Sequence, residues 1–178
     1  NKVKRKYRKR ARNIFVSLGG TVGYRRLRRL IELLNRHRLN LKIAPGYYLK
    51  KSARKTLRRL YPRLRFVGKT ETLARSFFEA DIALITAGVA AAEAAVVGTP
   101  ALYFYYHDEQ KFIAQSYQKA GAGLEISNID DLIEENILEA IQSLTLEKRI
   151  EMGTKAKTLS DGNGALRILR FLQQKEII

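Results

Sequence analysis

The chain contains no cysteine, which excludes disulfides and thiolate-bound metals. Its two histidines, His37 and His107, are far apart in sequence and have no ligand cluster around them, so a histidine-centred metal site is not expected either. An amino-terminal apolar signal region is missing and the first residue is Asn1, from which we expect a cytosolic chain, with a fragment of a longer protein as an open alternative. The longest apolar run, residues 82–106, has the length of a membrane span, but Glu93 and Gly98-Thr99-Pro100 interrupt it and argue against one. Internal repeats and low-complexity segments are also absent. Acids are scarce in one part of the chain: residues 1–65 hold a single acid, Glu32, against 23 of the 34 Lys and Arg. The remainder holds 16 acids and 11 bases, so one face or end should be strongly positive.

A hydrophobic share of 46% over 178 residues is enough to build the core of one domain. Residues 1–12 are too charged to pack and read as an exposed basic linker or arm, leaving 13–178 as the domain. Apolar runs at 13–18, 39–44, 65–67, 82–85, 101–105 and 124–126 read as strands. Segments with helical spacing alternate with them at 24–38, 50–60, 71–79, 89–97 and 108–120, and three more follow at 129–143, 146–159 and 165–174. Strands and helices alternating at this spacing predict an α/β fold, a Rossmann-like doubly wound parallel sheet of about six strands.

Residues 80–110 are the stretch the rest is organised around. An apolar strand leads into the small-residue turn Thr86-Ala87-Gly88, an Ala-rich helix, the break at Gly98-Thr99-Pro100 and a second apolar strand. Such a strand, crossover helix and strand implies parallel pairing, with the turn at a carboxyl end, where open α/β sheets bind ligands. Bare N–H groups and the positive end of the helix dipole suit an anionic phosphate there. Glu93, inside that helix, is the only charge between Asp81 and Asp108. A ribose ligand or an ion pair with an arginine of the basic half would each explain it. A second glycine turn, Gly19-Gly20-Thr21, follows the first strand. By itself it is as readily a tight connection as a ligand site.

Five stretches together resemble the C-terminal half of a GT-B glycosyltransferase: VSLGGT at 16–21, ADIALITAG at 80–88 with Glu93 five residues on, AAVVGTP at 94–100, EQKFIAQSYQKAG at 109–121 and GNGA at 162–165. Within that superfamily the chain looks most like the UDP-sugar hydrolase of pseudaminic acid biosynthesis and the related spore-coat polysaccharide proteins. The resemblance implies a UDP-sugar ligand and roles for particular residues. Gly19, Gly20 and Thr21 would face the diphosphate or a second domain. Gly88, Val89 and Ala90 would give backbone N–H groups to phosphate, and Glu93 would accept from the ribose hydroxyls. Thr70 would lie by the uracil edge, and Glu109 and Gln110 near the sugar or phosphate. Neither metal nor cofactor is implied, and no Asp-x-Asp motif is present.

Two departures stand out. Val89-Ala90 replaces the usual Ser-Thr, and Ala87 replaces the first glycine of the pair. In the related enzymes the catalytic base and most acceptor contacts lie in an N-terminal domain, so no catalytic residue is assigned here and an N-terminal acceptor domain or partner subunit is expected. The basic part leaves three readings open: a solvated face, an anionic membrane surface at the inner face, or nucleic acid. In the last, Arg25, Arg26, Arg28, Arg29, Lys50, Lys51 and Arg54 with Tyr24, Tyr47 and Tyr48 would track phosphates. His37 is expected to be a surface residue, His107 and Asp108 a loop pair, and Tyr103, Tyr105 and Tyr106 core or sheet-edge packing residues in preference to a base-stacking platform.

Overall fold

The computed structural model describes residues 5–20, 23–68, 72–131 and 133–175. Six strands, β1 (Asn13–Ser17), β2 (Asn40–Ile43), β3 (Leu64–Phe66), β4 (Ile82–Thr86), β5 (Ala101–Tyr105) and β6 (Leu124–Asn128), form one parallel sheet in the order β3-β2-β1-β4-β5-β6. Parallel strands need crossovers, supplied here by α1 (Tyr24–Arg36), α2 (Lys51–Leu60), α3 (Leu73–Glu79), α4 (Val89–Val97) and α5 (Asp108–Lys119). Three more helices follow, α6 (Glu134–Ser143), α7 (Leu146–Leu159) and α8 (Gly164–Gln174). The fold class expected from the sequence is the one found.

A sheet covered on both faces requires strands that are apolar throughout, and all five residues of β4 are buried. Period-two alternation then separates two cores. Ile14, Val16, Leu41, Ile43, Ile82, Leu84 and Leu102 meet Leu27, Leu30, Ile31 and Leu34 of α1 on one face. Phe15, Ala83, Ile85 and Ala101 meet Phe77 of α3 and Ala91 and Ala94 of α4 on the other. Alanines on both sides of that second contact let α4 lie close to the sheet. The helix then stops at Gly98, whose left-handed φ of 70° suits glycine.

Two expectations are corrected. Residues 129–143 do not form one helix: a 3-10 turn, Ile129–Asp131, precedes α6, which starts at Glu134. Residues 5–12 are not free of the domain, although Lys6, Arg8, Lys9, Arg10 and Arg12 are exposed. Arg5 is 8% exposed, and its guanidinium donates to the carbonyls of Phe77, Phe78 and Ala80 and to Thr99 Oγ1. These carbonyls sit at the end of α3, where Ala80 N–H closes on Phe77 O at 3.2 Å and the cation caps the carbonyls beyond it. Tyr7 donates its hydroxyl proton to Gly98 O at 2.9 Å, and Arg8 pairs with buried Asp81 at 2.9 Å. A run of charge can pack where it finds a row of unsatisfied carbonyls.

Candidate functional site

Strand order reverses between β1 and β4: β1 leads outward to β2 and β3, and the chain then returns to place β4 on β1's other side. A crevice opens at such a point beyond the carboxyl ends of the strands. Ser17 pairs with Ile85, so the turns after both strands emerge side by side on the same rim. Gly19 turns in a left-handed conformation, φ 77°, and a methyl group there would lie 3.6 Å from Thr86 Oγ1. Thr86, buried at the end of β4, therefore sits between the two glycine corners. The loop after β2 closes in as well: a Cβ on Gly46 would come within 2.8 Å of Gly19 O and 2.9 Å of Gly20 O.

Gly88 is the residue before α4 and has no side chain to cap it. The N–H groups opening the helix thus face outward from the rim without an intrahelical acceptor. Val89 is 80% exposed, so its side chain stands beside those donors and does not cover them from within the core. Ala91, Ala94 and Ala95 carry the buried stripe of α4; Glu93, one turn on from Val89, is off that stripe and half-buried. Among the described residues Glu93 makes no hydrogen bond or ion pair, so the arginine partner considered from sequence is not there.

The remaining candidates divide. Gly20 lies on the same rim as Gly19, exposed, and Ala90 is in the first turn of α4. Gln110 uses its Oε1 to accept from Tyr106 N–H at 2.9 Å, shaping the loop after β5, while Glu109 is exposed in the first turn of α5. Thr21 and Thr70 lie outside the described residues. From sequence Thr86 is read only as part of the small-residue turn, and Tyr106 only as a packing residue. The Tyr106 hydroxyl, its pKa raised by burial, donates to Leu18 O at 3.2 Å and ties the loop after β5 to the end of β1. A threonine ending an otherwise apolar strand was the available signal for Thr86; the tyrosine cluster at 103–106 marked packing without showing that Tyr106 reaches β1. His37 and His107 are exposed and Tyr103 is buried, as expected. Among the described residues no three His, Cys, Asp or Glu converge as a metal site would require, and no helix is long and apolar enough to cross a membrane.

The basic patch splits on inspection. On α1, Arg26 pairs with Asp130, Arg28 with Glu32, and Arg29 and Arg36 with Glu134. The phosphate track imagined along that helix is therefore largely neutralised. Tyr47 and Tyr48 are exposed but stand edge to face, with ring centroids 5.5 Å apart at 89°. That arrangement is not a pair of parallel stacking faces.

No protein-family profile matches the chain. Over 107 residues it is 28% identical to the UDP-N-acetylglucosamine--N-acetylmuramyl-(pentapeptide) pyrophosphoryl-undecaprenol N-acetylglucosamine transferase of Haemophilus influenzae, covering 58% of the chain and 30% of that protein. Its fold matches MurG from Acinetobacter baumannii with a TM-score of 0.75 at 22% identity, over 96% of the chain and 54% of that structure. The chain has the fold of a GT-B glycosyltransferase half. Spinosyn rhamnosyltransferase SpnG matches this GT-B half too, with a TM-score of 0.66 at 18% identity, over 92% of the chain and 46% of that structure. Over 115 residues it is 24% identical to the spore coat polysaccharide biosynthesis protein SpsG of Bacillus subtilis, 63% of the chain and 34% of that protein. The chain spans about a third of the curated relatives it matches and about half of the structures. The resemblance stated from the five motifs holds, and these relatives do not favour nucleic acid as the ligand.

Proposed function

We propose that this chain is the donor-binding half of a GT-B glycosyltransferase or nucleotide-sugar hydrolase of surface polysaccharide assembly, and that a second domain or partner subunit completes it. The observation that carries the proposal is the adjacency of the two glycine corners on the carboxyl rim of β1 and β4, with Glu93 outward and unengaged beyond them. In this reading residues 13–178 hold a UDP-sugar and residues 5–12 lead in from the preceding part of the molecule. The N–H groups of Gly88, Val89 and Ala90 hold the diphosphate at the positive end of α4, where they stabilise the charge that grows on a departing nucleotide. Glu93 accepts from the ribose, and Gly19 and Gly20 form the opposing wall. Thr21, Thr70 and Glu109 keep the roles that the resemblance implies.

Val89 and Ala90 cost the site two hydroxyls and leave its backbone donors. The open rim supports the need for a second half: it is one wall of a cleft. Helix α8 supports it too, since Leu166, Ile168, Leu169 and Phe171 are all more than 40% exposed. The Haemophilus influenzae relative is a pyrophosphoryl-undecaprenol N-acetylglucosamine transferase, and a lipid-linked acceptor of that kind supports work at the inner face of a membrane. The cations of α2, which form no ion pair among the described residues, would face the anionic lipid there.

Thermal unfolding with UDP tests the proposal. A ligand at 100 times its Kd adds about 2.7 kcal/mol, a rise of about 5–10 °C for a domain of this size. Glu93→Ala should remove most of that rise, and 0.3 M salt should change it little. A rise that survives Glu93→Ala would refute the assignment of the ribose contact, and no rise at all would refute the nucleotide site.

A further inference from the structure

A cleft of about 650 Å³ opens at the amino rim, opposite the glycine corners, between residues 9–12, the turn from α1 to β2, Arg63 before β3, and the turn from α6 to α7. Its charge is one-sided. Lys9, Arg10, Arg12, Arg38, Arg63 and Arg149 line it, and no Asp or Glu does. The fold pairs most of the cations of α1; among the described residues these six, like those of α2, form no ion pair, and here they converge on one cleft.

Arg149 is the most telling of them. It is 1% exposed, with Nε donating to Leu144 O at 3.2 Å and Nη2 to Arg8 O and Lys9 O at 2.8 and 3.1 Å. Its Nη1 is buried and has no acceptor. A buried guanidinium held by carbonyls alone, with one nitrogen unsatisfied, carries a desolvation cost that a carboxylate or phosphate would offset. Arg38 adds a second irregularity. It follows α1 with φ 56°, the only positive value at a non-glycine among the described residues, where glycine would sit without strain. Backbone strain is retained where a side chain is needed in place.

We propose that this cleft is a second anion site, for a ligand carrying at least a diphosphate. Six cations in one cleft exceed what a single carboxylate would neutralise, and the arginine forks match phosphate geometry. The volume suits a ligand of nucleotide size. Ile141, Leu144 and Leu146 line one side, so the ligand has an apolar part beside its charge. Soluble polyphosphates and anionic lipid headgroups share that chemistry. The cleft is separate from the glycine corners, because Arg12 and Arg63 precede β1 and β3 whereas Gly19 and Gly88 follow β1 and β4. The strands put about 15 Å between the rims.

The test is calorimetry with pyrophosphate and co-sedimentation with vesicles of phosphatidylcholine containing phosphatidic acid. Arg38→Gly removes a cation and relieves its backbone, so this variant folds at least as stably as the parent; Arg63→Gln is the second variant. Both positions lie at the amino rim, so pyrophosphate held by the carboxyl rim would not respond to them. Pyrophosphate should bind, and each variant should weaken it about tenfold. Vesicle binding that both variants weaken, without heat from pyrophosphate, would assign the site to a lipid headgroup. Binding to neither probe, or binding that both variants leave intact, would overturn the inference. The UDP response of the same variants is read separately, so loss of the donor site does not count for or against this one.

Discussion

Replacing Arg5 with methionine is the sharpest test of how the basic amino-terminal segment relates to the domain. The guanidinium reaches Phe77 O at 3.1 Å, Phe78 O at 3.2 Å, Thr99 Oγ1 at 3.0 Å and Ala80 O. Thr99 Oγ1 also donates to Phe77 O at 2.8 Å, so that carbonyl keeps a partner in the variant. Phe78 O and Ala80 O are left short of an acceptor's due, at about 1–3 kcal/mol each. Burial lowers the pKa of Arg5, its largest influence, and methionine recovers part of that desolvation. The expected net loss is about 3 kcal/mol, seen as a lower urea midpoint at unchanged slope and a melting point lower by about 6–12 °C. Arg8→Met is the control: Arg8 is largely exposed, and Asp81 keeps the N–H groups of Arg12 and Asn13 at 3.0 and 2.9 Å, so the loss should stay under about 1 kcal/mol. If Arg5→Met unfolds within about 0.5 kcal/mol of the parent, the segment is the solvated arm its charge suggests, and its role as the cap of α3 is wrong.

Three further outcomes can be measured. Gly19→Ala should cost about 1–2 kcal/mol because of its left-handed backbone, while Gly20→Ala, with open space around it, should be nearly silent in the same denaturant titration. Glu79 is held below the usual carboxylate range by its hydrogen bonds to Arg75 and Lys42. Its folded pKa being depressed, its contribution is present at neutral pH and is lost as pH falls through that range; Glu79→Gln should flatten the acid side of a stability curve. Helix α8 has no buried residue, so hydrogen exchange there should be the fastest of any helix, and truncation after Ser160 should leave the urea midpoint unchanged.

The strands and helices were legible because each is a short periodic run closed by a breaker: Pro45-Gly46 after β2, Pro62 before β3, Gly98-Thr99-Pro100 before β5. The candidate site was legible in part. Gly19, Gly88 and Glu93 are ordered along the chain in a recognisable pattern, and α-helical spacing puts Glu93 on the face of Val89 without any tertiary information. Thr86 and Tyr106 were not legible, because each matters through a neighbour distant in sequence: Gly19 for one, Leu18 for the other. The contacts that tie residues 5–12 to the domain were not legible for the same reason. Charge density alone argues for solvation, and the carbonyls that engage Arg5 lie more than 70 positions away.

What the residues alone determined is local: period, breakers, the alanine stripe of α4, and the imbalance of charge between the first 65 positions and the rest. What the tertiary structure decided is which charges cancel. It brought Asp130 and Glu134 to α1, brought no acid to the cleft lined by Arg38, Arg63 and Arg149, and set two glycine corners side by side. Electrostatic energy depends on separation in space and on burial, and neither can be read from separation along a chain.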